Sequence, residues 1–190
     1  MQMNSDQLKD MQIITEMYIG DPDIRVSPAV FSGKLVADNV NADKPWAYLT
    51  IDKGIPKSAY EALEFMGIPC EPWFDNPHIT AVRNDEASEL KKVYGDDKWV
   101  DAIGMGPNKY LFTIKGLTDV TPVGWDDMDR VWFLEVDCPA LSVHRLDMGL
   151  TALPTSGDRT LPFHITVAVR QAVATKEEAL NNTVLKALLG

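Results

Sequence analysis

Two short runs in this chain repeat each other. His78-Ile79-Thr80 stands inside Pro77-His78-Ile79-Thr80-Ala81-Val82-Arg83, and His164-Ile165-Thr166 stands inside Phe163-His164-Ile165-Thr166-Val167-Ala168-Val169-Arg170. The chain has three histidines, and two of them hold the same place in this unit. Both runs are apolar and rich in β-branched residues, which predicts strands. Residues i and i+2 of a strand share a face. Each His therefore projects beside its Thr, about 7 Å along the strand, while each Ile points the other way into a core. Each run closes on an arginine and precedes a predicted helix. Asp85 is placed to cap the first helix and Gly95 to end it; Thr175 with Glu178 opens the second as a capping box. The units, Pro77 to Tyr94 and Phe163 to Leu189, predict two similar lobes across a pseudo-twofold cleft.

The remaining pattern is mixed. Residues 5 to 18 read as an amphipathic helix and Phe31 to Ala37 as a strand. Together they make residues 1–44 an N-terminal extension (helix plus strand) packed on the core, with the main domain over residues 45–190. Trp46 to Asp52 reads as a strand, and residues 57 to 66 as a helix opened by Pro56 and closed by Gly67. Trp99 to Ile103, Lys109 to Lys115 and Arg130 to Asp137 read as strands, and Pro139 to Leu150 as a helix. No regular β-α-β pulse runs through this order. The expected class is α+β, with two mainly antiparallel sheets facing a central cleft and helices outside.

Charge narrows the function. The net charge is −10 and the pI near 4.7. Proteins that coat duplex DNA or long RNA depend on many Lys and Arg contacts to phosphate, so a long nucleic acid is not the expected partner. A small anionic substrate held at one local site remains open. No stretch approaches the ~18 apolar residues of a membrane span, and the first residues lack the basic-then-apolar order of a secretory leader. A cytoplasmic protein without a membrane partner is expected. Cys70 and Cys138 read as reduced thiols rather than a disulfide framework.

The chemistry follows from the repeated unit. Imidazole titrates near neutrality, so one His can take a proton while the other, protonated, gives one. The hydroxyls can donate to the non-bridging oxygens of a phosphate. That set suits in-line attack at phosphorus. Two imidazoles and two neutral hydroxyls make a poor metal ligand set, so neither a metal nor a cofactor is expected.

The paired His-x-Thr motifs, on strands roughly eighty residues apart, resemble the 2H phosphoesterase superfamily. The resemblance covers residues 45 to 190 and includes the central stretches Tyr110 to Leu117 and Val131 to Val136. It implies a bilobal α+β fold, cleavage of nucleotide phosphodiesters, and a catalytic set of His78, Thr80, His164 and Thr166. Gly67-Ile68-Pro69 and the acidic composition are reminiscent of the phage branch that cleaves cyclic oligonucleotide immune signals (the anti-CBASS type), which would place the protein in a host cytoplasm. A 2′-5′-oligoadenylate or RNA 2′,3′-cyclic phosphodiesterase is the nearest alternative. The alternative of another class is a non-catalytic sponge that binds a nucleotide signal.

Other residues carry weaker expectations. Tyr48 and Trp46 share a face of the neighbouring strand, and Trp73 lies in the proline-rich loop before His78; these three are the candidate substrate contacts. Trp99 and Trp125 are further stacking candidates, since a stacked base gains about 1–3 kcal/mol. Phe163 is expected in the core and His144 on a helix surface. Arg83 and Arg170 read as solvated strand ends, and Asp96-Asp97 and Asp126-Asp127 as solvated loops.

Overall fold

The computed structural model describes residues 29–38, 44–96, 98–122, 127–156 and 159–172. The helices expected over residues 5 to 18 and from Thr175 onward, and Trp125, lie outside them.

The architecture is α+β, with nine strands and four helices among the described residues. Strand β1 (Val30–Asp38) leads to β2 (Trp46–Thr50), helix α1 (Gly54–Phe65), β3 (Glu71–Pro72), β4 (His78–Val82) and α2 (Asn84–Tyr94). Then come α3 (Trp99–Gly104), β5 (Tyr110–Val120), β6 (Met128–Asp137), α4 (Pro139–Asp147), the short β7 (Thr155–Ser156) and β8 (Arg159–Thr160), and β9 (Phe163–Gln171). Seven strands form one sheet in the order β3-β9-β6-β5-β1-β2-β4, and β7 pairs with β8. Every pairing is antiparallel.

The sheet is continuous only because β1 changes partner midway. Val30 to Gly33 pair with β5, and Lys34 to Asp38 pair with β2. Gly33 sits at the crossover. A Cβ there would meet the Thr50 carbonyl oxygen at 2.8 Å and the Leu49 Cβ at 3.0 Å, so the two backbones can approach only at a glycine. In place of two separate sheets there are thus two strand groups, β3-β9-β6-β5 and β2-β4, joined through β1. The sheet bends round until β4 and β9 pack side by side without sheet hydrogen bonds.

Helix α1 begins where the Asp52 carboxylate accepts the Gly54 N–H at 2.7 Å. Pro56 lies in the first turn, where its missing N–H costs nothing, and Ala59, Ala62 and Leu63 turn inward. Gly67, at φ +71°, stops it: its N–H reaches the Glu64 carbonyl and the Ile68 N–H the Leu63 carbonyl. Helix α4 stops the same way at Gly149, φ +82°, with Gly149 bonded to Leu146 and Leu150 to Arg145. The helices reach across the strand order. Helix α1 connects β2 to β4 yet packs against β9, and α4 connects β6 to β9 yet reaches β4.

One expected strand is a helix. Residues 99–103 form most of α3, with Trp99, Ala102 and Ile103 buried at helical spacing. A five-residue apolar run fits either period. Packing decides it, since Trp99 and Ile103 complete a second core with Val82, Ala87 and Leu90. The main core holds Leu49, Ile79, Phe112, Leu134, Leu141, Phe163 and Ile165. Both motif isoleucines are fully buried there, each gaining roughly 1.5–3 kcal/mol from transfer out of water. No helix among the described residues is long and apolar enough to cross a membrane.

Candidate functional site

The two motif strands are built alike. On β4, His78 stands opposite Thr50 and Thr80 opposite Tyr48; the next pair is Val82 with Ala47, so Ala81 is an extra residue. On β9, His164 stands opposite Glu135 and Thr166 opposite Phe133; the next pair is Ala168 with Trp132, so Val167 is extra. Each strand therefore carries a β-bulge at the residue directly after its threonine. An aromatic ring faces each threonine and touches the histidine: Tyr48 at 5.6 Å from His78, and Phe133 at 5.1 Å from His164, between ring centroids.

Each imidazole is held by the backbone two residues before it. His78 Nδ1 donates to the Asn76 carbonyl at 2.8 Å, and His164 Nδ1 donates to the Pro162 carbonyl at 2.9 Å. A carbonyl oxygen can only accept, so Nδ1 carries a hydrogen in both rings. Nε2 is then the nitrogen that gains and loses a proton. Burial holds the His164 pKa below the usual imidazole value, because the cation loses hydration. The bond to Pro162 opposes that shift, and the positive charges of His78 and Arg83 add to it.

Because β4 and β9 meet, the four side chains share one cavity. It encloses about 270 Å³ and is lined by His78, Thr80, His164 and Thr166, with Arg83 and Trp73. Pro154, Leu161 and Pro162 supply an apolar wall. Among the described residues that line it, none is a carboxylate.

The cavity includes one residue that the sequence placed elsewhere. Arg83 was expected as a solvated strand end, yet it lines the cleft. The bulge at Ala81 shifts the alternation, and the chain turns at Arg83 to enter α2. Its backbone N–H donates to Glu86 Oε2 at 2.9 Å. Glu86 in turn receives Arg145, at 2.6 Å from Nη2 and 3.1 Å from Nη1. Arg145 is fully buried; it also donates to the Ala81 carbonyl at the bulge and to the Thr151 carbonyl. On the other strand the Val167 carbonyl accepts the Trp73 N–H at 2.9 Å instead.

The aromatic candidates separate. Trp73 lines the cavity and is half exposed. Trp46 and Tyr48 stack on each other at 4.4 Å, and the edge contact of Trp46 with His78 is 4.8 Å. They support the His78 ring and do not line the cavity. Trp99 is fully buried, away from the cleft. Phe163 is core, as alternation predicts. His144 is buried rather than on a helix surface, because α4 turns it inward to the Ile103 carbonyl at 3.2 Å. Arg170 pairs with Asp129 through two bonds of 2.8 and 3.1 Å, outside the cleft. Cys70 and Cys138 are both unpaired with each other as free thiols, and burial raises the pKa of each.

One further sequence signal marks this arrangement. Met66-Gly67-Ile68 and Met148-Gly149-Leu150 are a second repeat, and each marks the end of the helix that precedes a motif strand. Glu86 and Arg145 carried no signal, since nothing local shows that two distant charges will be buried together.

Chemically, the described residues of the cleft offer two imidazole Nε2 atoms, two hydroxyl donors and one guanidinium. Among the described residues, no group of three or more His, Cys, Asp or Glu side chains is gathered as a metal site. The chain matches no family model, no curated protein and no solved structure.

Proposed function

We propose that this chain is a phosphodiesterase of the 2H type, acting on small nucleotides without a metal, in a fold of two facing lobes related by a pseudo-twofold axis. One observation carries the reading. Two His-x-Thr strands with the same register, the same bulge and the same carbonyl-anchored imidazole open into one cavity.

In the proposed reaction His164 is the base. Its lowered pKa keeps it neutral at neutral pH. His164 Nε2 takes the proton of a water or a ribose 2′-hydroxyl. That oxygen forms a bond to phosphorus in line with the leaving oxygen. The bond from phosphorus to the leaving oxygen breaks, and His78, protonated on Nε2, gives it a proton. Thr80 and Thr166 donate to the non-bridging oxygens. Such acid–base pairs contribute ~10²–10⁴-fold.

The substrate class follows from size and charge. A cavity of about 270 Å³ lies near the lower end of ligand pockets, roughly 300–1,000 Å³, and fits one nucleotide unit at a time. The net charge of −10 disfavours a polyanion laid along the surface. Cyclic oligonucleotide signals, the anti-CBASS type of substrate, come first, with Trp73 as the stacking face for a base. Incubation with cyclic dinucleotides, cyclic trinucleotides, 2′-5′-oligoadenylate and 2′,3′-cyclic mononucleotides tests the proposal. Cleavage of at least one class in the presence of EDTA, abolished in His78→Ala and in His164→Ala, is expected. Ligand bound but recovered intact across the panel would sink catalysis and favour the sponge.

A further inference from the structure

The cleft needs a positive charge that does not come and go with pH. During attack, negative charge grows on the non-bridging oxygens of phosphorus. Two hydroxyls supply no charge, and one imidazole must be neutral to act as base. Arg83 is the permanent cation among the described lining residues. Its Nε is shielded from water and has no hydrogen-bond partner. The nearest carboxylate oxygen, Asp85 Oδ1, is 3.6 Å away, too far for a hydrogen bond. A buried donor left unpaired is costly, and native structures keep few of them. At the same time its backbone is tightly placed. Glu86 holds the Arg83 N–H, Arg145 holds Glu86, and Arg145 also holds the bulge carbonyl between Thr80 and Arg83. The residue is fixed at its root, while its guanidinium has only the long ion pair to Asp85 and an Nε without a hydrogen-bond partner.

We propose that Arg83 is the phosphate-binding residue of the cleft, with its guanidinium on the non-bridging oxygens beside the Thr80 and Thr166 hydroxyls, and that Glu86 and Arg145 are positioning residues for it. The proposal deepens the phosphodiesterase reading by naming where the phosphate's charge is met. The planar guanidinium matches two phosphate oxygens at once, which an ammonium group cannot do. The contact strengthens as the oxygens gain charge, so its loss should fall more on kcat than on KM. β9 offers no matching cation. Its arginine, Arg170, is engaged by Asp129 outside the cleft. The phosphate is therefore expected to sit toward β4.

Inorganic phosphate is the probe. Its binding to the full chain is measured by calorimetry and by the imidazole resonances of His78 and His164. Those rings are read against Arg83, His78 and the cross-strand Glu135, which is engaged by Lys115. Wild type is expected to bind, and Arg83→Gln to bind at least ~10-fold more weakly at an unchanged melting temperature. On the cleaved substrate, Arg83→Gln should lose ~10²-fold in kcat, as removal of a charge-stabilising donor does. Arg83→Lys keeps the charge without the fork and should fall between. Asp85→Asn, which removes a competitor for the guanidinium, should bind phosphate at least as well as wild type. Phosphate bound equally by wild type and Arg83→Gln would overturn the assignment. If Arg83→Gln does not fold, Arg83→Lys decides: parity with wild type in both binding and turnover overturns it. Arg83-dependent phosphate binding in a protein that cleaves none of the panel would keep this assignment and remove the catalytic reading instead.

Discussion

β4 and β9 carry the same tripeptide in the same register, and the protein treats them differently. On β4 the bulge is held by side chains: the fully buried Arg145, reached from the far half of the chain, and its partner Glu86. On β9 the bulge is held by a backbone N–H, that of Trp73. The β4 histidine leans on two aromatic rings, Trp46 and Tyr48, and the β9 histidine on one, Phe133. Burial depresses the proton affinity of the β9 histidine. Equal backbone geometry thus coexists with unequal surroundings. In the proposed acid–base pair, burial favours the neutral form of His164, which is the form a base requires.

The largest test of this comparison is loss of either imidazole. His78→Ala and His164→Ala should each lower turnover by ~10²–10⁴-fold, measured on whichever phosphodiester of the panel the wild type cleaves. Near-normal turnover in one of them would mean that only one strand works. Next comes the buried pair on β4. Arg145→Ala leaves Glu86 uncompensated, and removing one partner of a buried ion pair costs about 3–5 kcal/mol. Replacing both, as Glu86→Leu with Arg145→Met, should return most of that stability in urea titration. Turnover should stay low, because Arg83 loses its hold. A double variant with full activity would show that the charged clamp does not serve the cleft.

Smaller effects sharpen the equivalence. Ile79→Val and Ile165→Val remove one methylene from each fully buried anchor, and each should cost about 0.5–1.5 kcal/mol. Costs that differ by more than that range would break the match between the strands. The smallest effect is in the pH dependence of stability. The folded His164 has a lower proton affinity than the unfolded chain, so the unfolded state binds more protons as pH falls. Stability is full above the ordinary imidazole value of about 6.5 and declines as pH drops through it toward the folded value. His164→Gln should flatten that arm in melts from pH 7.5 to 5. Turnover of the wild type should fall over the same range as the base is lost.

Much of this was legible in the sequence, and the limit has a physical cause. Strand period two placed Ile79 and Ile165 in the core and set each His beside its Thr, because burial imposes that alternation locally. Counting by twos fails at a bulge, and neither Ala81 nor Val167 announces one. Both arginines read as solvated strand ends; Arg170 stays outside the cleft, while the extra residue at Ala81 and the turn into α2 bring Arg83 to its lining. Residues 99–103 fit a strand and a helix equally until Trp99 finds a core to fill. β1 read as a strand, but its two partners are set by long-range pairing that no local pattern records. The Met-Gly-aliphatic repeat was visible and would have extended the duplicated unit back through the preceding helix.

Arg145 has a consequence for how the chain can be divided. It stands on α4, between β6 and β9, and donates to the Ala81 carbonyl on β4 and to Glu86 on α2. A fragment that kept β4 without α4 would lose the donor for its bulge carbonyl and leave the Glu86 carboxylate unpaired. A fragment that kept α4 without β4 would carry a guanidinium with nothing to neutralise it. Cut between β5 and β6, the two pieces should gain structure only when mixed.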